Sequence, residues 1–312
     1  MSTFVDALAA AFGAERIKLA APLAPLTTFK VGGPADVLFE SVNSDEVLRA
    51  LAIARDAGQP VTLLGGGSNV LVSDRGVRGL VIRPRGGAVN AVGDRLVRAD
   101  AAVTINGLVR WTINRGYAGL EAWAGTPGTV GGAIYGNAHW QKTNIGDLVE
   151  SVRLVKPDGT LLQAPADRME FDYDYSRLKR TGEIVLWVAF RVTPGADPAP
   201  LRLVARESLA FRKRTQPLES PSAGCIFMNP DPLRDRIPAG MPASAGALVD
   251  RAGLKGAALA GARVSPTHAN FIINDGSATA SDIKALIEQC RSAVKERFGV
   301  TLRDEIICLG EF

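Results

Sequence analysis

Residues 61–72 read Val61-Thr62-Leu63-Leu64-Gly65-Gly66-Gly67-Ser68-Asn69-Val70-Leu71-Val72. Two apolar runs of strand formers flank three consecutive glycines. Ahead of them, Glu46, Val47, Leu48, Leu51 and Ala54 follow Ser44 at helical spacing, with Ser44 as the cap and Gly58 as the stop. Behind them, Leu80-Val81-Ile82 reads as another strand. This alternation is a small α/β unit. Glycines without side chains let backbone N–H groups approach a phosphate, and Ser68 and Asn69 add donors. A tight strand-to-strand turn explains the same residues, and on this stretch alone the two readings stand level.

A second unit runs from Asn90 to about Pro200. Leu96 to Val103 reads as a strand and Asn106 to Asn114 as a short helix stopped by Gly116. Val152-Arg153-Leu154-Val155 and Thr160-Leu161-Leu162 flank a hairpin turn at Pro157-Asp158-Gly159. Ile184 to Val192 is a buried strand. Pro194, Gly195, Pro198 and Pro200 then break the pattern and mark a boundary. In the last third, Thr279 and Asp282 form a capping box ahead of Ile283, Leu286, Ile287, Cys290, Val294 and Phe298, a helix that Gly299 ends.

The chain has 312 residues, enough for two or three domains. The longest basic block is Arg212-Lys213-Arg214 and the net charge is +4, which gives no support to nucleic-acid binding. Three widely spaced cysteines, Cys225, Cys290 and Cys308, make neither a disulfide framework nor a zinc site, and they fit a reducing compartment. His139 and His268 are the only histidines, too few for a multi-histidine metal centre. The first residues contain Asp6 and lack a basic start leading into an apolar stretch, so no secretory signal is expected. No apolar run reaches the ~20 residues that span a bilayer. The expected location is the cytoplasm, with no membrane partner.

A second glycine cluster runs Gly125-Thr126-Pro127-Gly128-Thr129-Val130-Gly131-Gly132-Ala133 and leads to Gly136-Asn137-Ala138. Its glycines and proline predict irregular backbone without a regular helix or strand. A loop this apolar and this rich in glycine is expected to touch a flat or charged ligand. Neither cluster is G-x-G-x-x-G or G-x-x-x-x-G-K-[ST], so the Rossmann and P-loop readings lose their main support. Two glycine-rich loops on successive α/β units suggest one extended ligand, and FAD has that shape.

Leu26-Thr27-Thr28-Phe29-Lys30-Val31-Gly32-Gly33-Pro34-Ala35, the stretch from Leu64 to Leu71 and the stretch from Ala124 to Ala138 resemble the UDP-N-acetylenolpyruvoylglucosamine reductase family. The likeness continues, in order, through Pro221 to Pro230, Ala245 to Gly256 and Val264 to Asn274. The short spacing from Tyr173 to Arg212 resembles the family's compact form. The resemblance implies an α/β (α+β) chain. Its parts would be a two-subdomain FAD-binding fold of the vanillyl-alcohol-oxidase type (residues 1–88 and 89–200) and a C-terminal α+β substrate domain (201–312). The last strand would be free to return to the flavin-binding part. It further implies a monomeric enzyme of peptidoglycan precursor synthesis. NADPH reduces the flavin, and UDP-N-acetylenolpyruvoylglucosamine is then reduced to UDP-N-acetylmuramate.

The same resemblance implies the site. FAD would be held by Thr28, Val31, Gly32, Gly33, Leu64, Gly65, Gly66, Gly67, Ser68, Asn69, Leu71, Gly125, Thr126, Pro127, Gly128, Gly131, Gly132, Asn137 and Ala138. In Gly224-Cys225-Ile226-Phe227-Met228-Asn229-Pro230, Cys225 stands where the family keeps a serine or cysteine proton donor. A free thiol with a pKa of ~8.5 is mostly protonated at neutrality and can give its proton. Glu305, in Leu302-Arg303-Asp304-Glu305-Ile306-Ile307, matches the family's catalytic glutamate, and Asp304 beside it faces the other way on a strand. The family's Tyr-Arg-x-Ser appears as Tyr173-Asp174-Tyr175-Ser176, so an aspartate occupies the arginine position. Arg177 is the expected substitute, with a surface ion pair as its other reading. Tyr173, Asn229 and His268 are expected to contact substrate. Arg214, with Arg212 and Lys213, either meets the UDP phosphates or forms a solvated basic face. Ala247 stands where the family has lysine. Two other classes stay open: a flavin oxidase of the same architecture, and a non-catalytic UDP-sugar-binding relative.

Overall fold

The computed structural model describes residues 2–141 and 143–312. The chain forms two compact units. The first takes the chain as far as Leu19, then Val37–Gly66 and Gly79–Phe211; the second takes Ala20–Asp36, Gly67–Arg78 and Arg212–Phe312.

One sheet has four strands in the order Ile17–Pro22, Pro34–Ser41, Val77–Pro84 and Val61–Leu63. Val61 to Leu63 runs parallel to Leu80 to Ile82. Within the first unit, the helices Ser2–Phe12 and Ser44–Asp56 bring Phe4, Leu8, Val47, Ala50 and Ala54 against Val37, Phe39, Leu80 and Ile82. The helix cap is Asn43, not Ser44: its side chain accepts from the Glu46 N–H at 2.9 Å, and Ser44 is the first helical residue. Asn and Ser are equally good caps, so composition does not separate neighbours.

A five-stranded antiparallel sheet fills the rest of the first unit, in the order Leu161–Pro165, Val149–Val155, Ile184–Arg191, Leu96–Asp100 and Val89–Val92. The turn at Pro157-Asp158-Gly159 joins two of these strands, with Gly159 at φ 89°. Helix Ile105–Asn114 and buried Trp123 close the core over the sheet. One expectation fails here. The second glycine cluster contains a short helix, Val130–Tyr135. Thr129 caps it, and its first turn holds Gly131 and Gly132, where tertiary packing outweighs poor propensity. Gly131 has a packing reason: a Cβ there would lie 3.1 Å from the Ala101 Cβ. The proline-rich break is also the start of a helix, Pro198–Thr215. Proline suits a first turn, where its missing N–H is not needed.

The second unit packs helices Ala245–Arg251 and Ala280–Phe298 on a three-stranded sheet of Ala258–Leu259, Ala262–Val264 and Ile272–Asn274. The longer helix begins at the expected capping box and ends at Gly299, in the left-handed conformation at φ 71°. Thr279→Ala should therefore cost about 1 kcal/mol, read as a lower urea midpoint with an unchanged slope. Within the same unit the last strand, Ile307–Leu309, pairs in parallel with Val70–Val72. This carries the glutamate-bearing segment back to the strand that follows the first glycine loop.

Candidate active site

The first glycine loop leaves the sheet at Leu64, whose N–H donates to the Ile82 carbonyl at 2.9 Å. The N–H groups of Gly65 through Asn69 have no hydrogen-bond acceptor among the described residues. Five open N–H groups in sequence, with Gly67 at φ 63°, make an anion-binding nest. In the first unit this loop meets the second glycine cluster closely. A Cβ on Gly66 would sit 2.7 Å from the Gly128 Cα, and one on Gly65 would sit 2.6 Å from the Thr129 Oγ1. Asn106 straps the second loop, accepting from the Gly125 N–H at 2.7 Å and donating to the Thr126 carbonyl at 3.3 Å. Glycine contact and a run of open donors fit a pyrophosphate, so these residues suit a dinucleotide such as FAD.

In the second unit, Thr28 holds the loop through its N–H and hydroxyl, both donating to the Gly67 carbonyl at 2.9 and 3.2 Å. Gly32, at φ 125°, lies against Val72, and Gly33 lies against the Asp74 carbonyl. Several expected cofactor residues act otherwise through their side chains. Val31 and Leu71 are buried in the second unit's core with Phe29 and Ile226. Asn69 donates its amide to the Glu305 carbonyl at 3.2 Å. Asn137 donates to the Asp172 carbonyl at 2.8 Å and accepts from the Gly146 N–H at 2.9 Å. Their contribution to a ligand is therefore through the backbone they shape. Thr126 is buried, Pro127 and Gly132 are exposed, and Ala138 donates its N–H to the Ala133 carbonyl at 2.7 Å.

The second unit also gathers Cys225, Glu305, Asn270, Asn229 and His268. The Cys225 segment lies between two others: Ile226 N–H donates to the Asn270 carbonyl and Glu305 N–H to the Ile226 carbonyl, each at 2.8 Å. The Asn270 side chain clamps Phe227, accepting from its N–H at 3.0 Å and donating to its carbonyl at 2.8 Å. Burial pushes the Cys225 thiol well above its ordinary pKa, and the Glu305 carboxylate pushes it the same way; a hydrogen bond with the Asn270 side chain opposes them. The group therefore keeps its proton at neutral pH, the state that a proton donor requires. Asn229 accepts from the Ala245 N–H at 3.0 Å. His268 packs edge-on against Phe271 at 5.1 Å, and its pKa is lowered by burial and by Lys255, so it is neutral at pH 7. Asp304 turns away from Glu305 to Arg291 at 2.6 Å, as alternation along an extended segment requires.

By length, the described C-terminal part matches the family model "UDP-N-acetylenolpyruvoylglucosamine reductase, C-terminal domain" over residues 216–309. Residues 35–164 match the model "FAD binding domain". The UDP-N-acetylenolpyruvoylglucosamine reductase of Parasynechococcus marenigrum (strain WH8102) is 39% identical over 293 residues, covering 93% of this chain and 94% of that one. The chain belongs to the UDP-N-acetylenolpyruvoylglucosamine reductase family. A second relative of that name, from Anaeromyxobacter dehalogenans (strain 2CP-1 / ATCC BAA-258), is 40% identical and covers 94% of this chain and 85% of its own. The crystal structure of the Thermus caldophilus reductase superposes with a TM-score of 0.76 at 32% identity, covering 94% of this chain and 98% of that one. The α/β fold with an FAD-binding domain and a reductase C-terminal domain follows.

The structure places Arg177 in an ion pair, the other of its two expected readings. The Arg177 guanidinium makes two bonds to Glu183, at 2.8 and 2.9 Å, and a third to the Arg168 carbonyl at 3.0 Å. Glu183 is 8% exposed, so the pair ties down the turn before strand Ile184–Arg191. A guanidinium held in that fork is restrained by three hydrogen bonds. Arg177→Met should cost about 1–3 kcal/mol by leaving a buried carboxylate with the Thr181 hydroxyl but no cation, seen as a lower melting temperature, while flavin reoxidation by substrate persists. Tyr173 is half-buried with its ring 5.0 Å from that of His139, and Arg214 is exposed in the last turn of its helix. Asn270 and Asn106 carry positions that the sequence reading did not single out. The signal for Asn270 was available, since it lies within His268-Ala269-Asn270-Phe271 and a buried asparagine amid apolar neighbours needs partners.

Proposed function

We propose that this chain is an FAD-dependent enzyme that uses NADPH to reduce UDP-N-acetylenolpyruvoylglucosamine to UDP-N-acetylmuramate in peptidoglycan precursor synthesis. The observation that carries the reading is the Cys225 segment held between the Asn270 and Glu305 segments, where burial and Glu305 both raise the thiol's pKa. Bound FAD would supply hydride transfer from NADPH to the enolpyruvyl group. The glycine loop N–H groups of Gly65 through Asn69 hold the pyrophosphate. Hydride addition to one vinyl carbon leaves negative charge on the other carbon and on its carboxylate. Cys225 gives its proton to that carbon, and its raised pKa is no obstacle because a carbanionic centre is a far stronger base. Glu305, close enough to act on the thiol electrostatically, orients the donor or assists the return of its proton. Asn229 and His268 bind the nucleotide sugar through neutral hydrogen-bonding groups.

In this reading residues 1–88 and 89–200 serve the flavin and 201–312 the substrate. The enzyme works as a monomer in the cytoplasm. Among the described residues no helix is long and apolar enough to cross a membrane. The test is NADPH consumption by the purified, FAD-loaded protein. Consumption that depends on the enolpyruvyl nucleotide, with UDP-N-acetylmuramate appearing in equal amount, supports the reading. Consumption driven by oxygen and indifferent to that nucleotide would favour a flavin oxidase.

A further inference from the structure

An asparagine amide has an accepting oxygen and two N–H donors. Asn270 Oδ1 accepts from the Phe227 N–H at 3.0 Å, and one Nδ2 proton goes to the Phe227 carbonyl at 2.8 Å. That pair fixes which way round the amide lies, because a flipped amide would set oxygen against oxygen and N–H against N–H. The main chain is held as well. The Asn270 N–H donates to His268 Nδ1 at 3.3 Å, and the Asn270 carbonyl accepts from the Ile226 N–H at 2.8 Å. Asn270 is 3% exposed, and a Cβ on Gly246 would lie 3.5 Å from its Cβ. An asparagine so packed has little freedom to turn. All of these residues, with Cys225 and Glu305, belong to the second unit.

The clamp on Phe227 leaves one amide proton, and the Asn270 side chain also bonds the Cys225 thiol. The direction of that bond follows from its effect. It lowers the thiol's pKa, as an N–H donated to sulfur does, whereas an S–H donated to Oδ1 would raise it. The sulfur therefore accepts, and its own proton points away from Asn270. Cys225 is half-buried and keeps an open side. Giving the proton up leaves a charge on sulfur that burial and Glu305 both disfavour. The Asn270 N–H is already aimed at that charge, as a preorganised donor is in an oxyanion hole.

We propose that Asn270 is the positioning residue of the proton transfer: its second amide N–H, fixed by the clamp on Phe227, holds the Cys225 sulfur with its proton turned outward and stabilises the thiolate as that proton leaves. This role rests on the reductase reading. The S–H electron pair stays on sulfur, the proton forms the new C–H bond with the electron pair of the substrate carbanion, and a solvent proton later restores the thiol.

Asn270→Asp isolates that one bond. Burial favours a neutral carboxyl, whose C=O and O–H can keep both bonds to Phe227 while the sulfur loses its donor. An ionised carboxyl offers the sulfur no donor either. Anaerobic stopped-flow absorbance reads the two flavin half-reactions in wild type, Asn270→Asp, Cys225→Ala and the double variant. Asn270→Asp is expected to slow reoxidation by the enolpyruvyl nucleotide about ten- to a hundredfold, the worth of one hydrogen bond to a charged group, and to leave reduction by NADPH unchanged. In the Cys225→Ala background it should change reoxidation by no more than about twofold. Equal slowing in both backgrounds would overturn the proposal, because the effect would not pass through the sulfur. No slowing in either would overturn it too. Side-chain amide NMR needs no change at Asn270. In Cys225→Ala one Asn270 Nδ2 proton should shift upfield while the one on the Phe227 carbonyl stays, and two unmoved protons would equally overturn the proposal. Wild-type flavin that the enolpyruvyl nucleotide fails to reoxidise would instead remove the reductase reading, and this proposal with it.

Discussion

Cys225→Ala is expected to lower product formation by about 10²–10⁴-fold, the usual contribution of a positioned general acid, while NADPH still bleaches the flavin. The split follows from what the thiol does. In the proposed reaction it takes no part in accepting a hydride from NADPH, and it supplies the proton that completes the product. Burial and Glu305 both raise its pKa, so the proton is present across the neutral range. Cys225→Ser should remain active, because a hydroxyl at the same position also carries a proton and can take the Asn270 hydrogen bond. Stopped-flow absorbance at the flavin band, run separately for reduction and reoxidation, reads both halves. Undiminished reoxidation in the alanine variant would remove Cys225 from the mechanism.

Gly66→Ala is expected to yield protein that folds but holds little flavin. Its Cβ would fall 2.7 Å from the Gly128 Cα, and that neighbour is backbone, with no flexible end to move aside. Either the first loop or the second must shift, and the run of open N–H groups from Gly65 to Asn69 shifts with it. An overpacking cost of about 1–3 kcal/mol placed on that loop corresponds to roughly ten- to a hundredfold weaker FAD binding. The ratio of visible to protein absorbance after purification measures it, with circular dichroism as the control for folding. Full flavin content in the variant would mean that the loops do not meet at the cofactor.

The regular parts of the molecule were legible because their signals are local. Thr279, Asp282 and Gly299 bracket a helix by capping chemistry that acts within a turn. Pro157-Asp158-Gly159 bracket a hairpin in the same way. Helix Val130–Tyr135 was not legible, since its glycines argue against it and only the packing of Gly131 on Ala101 explains it. In the candidate site, Cys225 and Glu305 were singled out by motif, yet Asn270 is 45 residues beyond Cys225 and its clamp on Phe227 exists only in three dimensions. The ion pair of Arg177 was not legible for a related reason. Its partner Glu183 is six residues away, a spacing with no fixed meaning outside a helix, and nothing in the sequence distinguishes a guanidinium that is held from one that is available.

The most direct measurement is the visible spectrum of the purified protein under anaerobic conditions. NADPH is added first and UDP-N-acetylenolpyruvoylglucosamine second. The account predicts a flavin band that NADPH bleaches and that one equivalent of the enolpyruvyl nucleotide restores. A reduced flavin that stays bleached after that addition, or a protein that cannot be loaded with FAD, would contradict it.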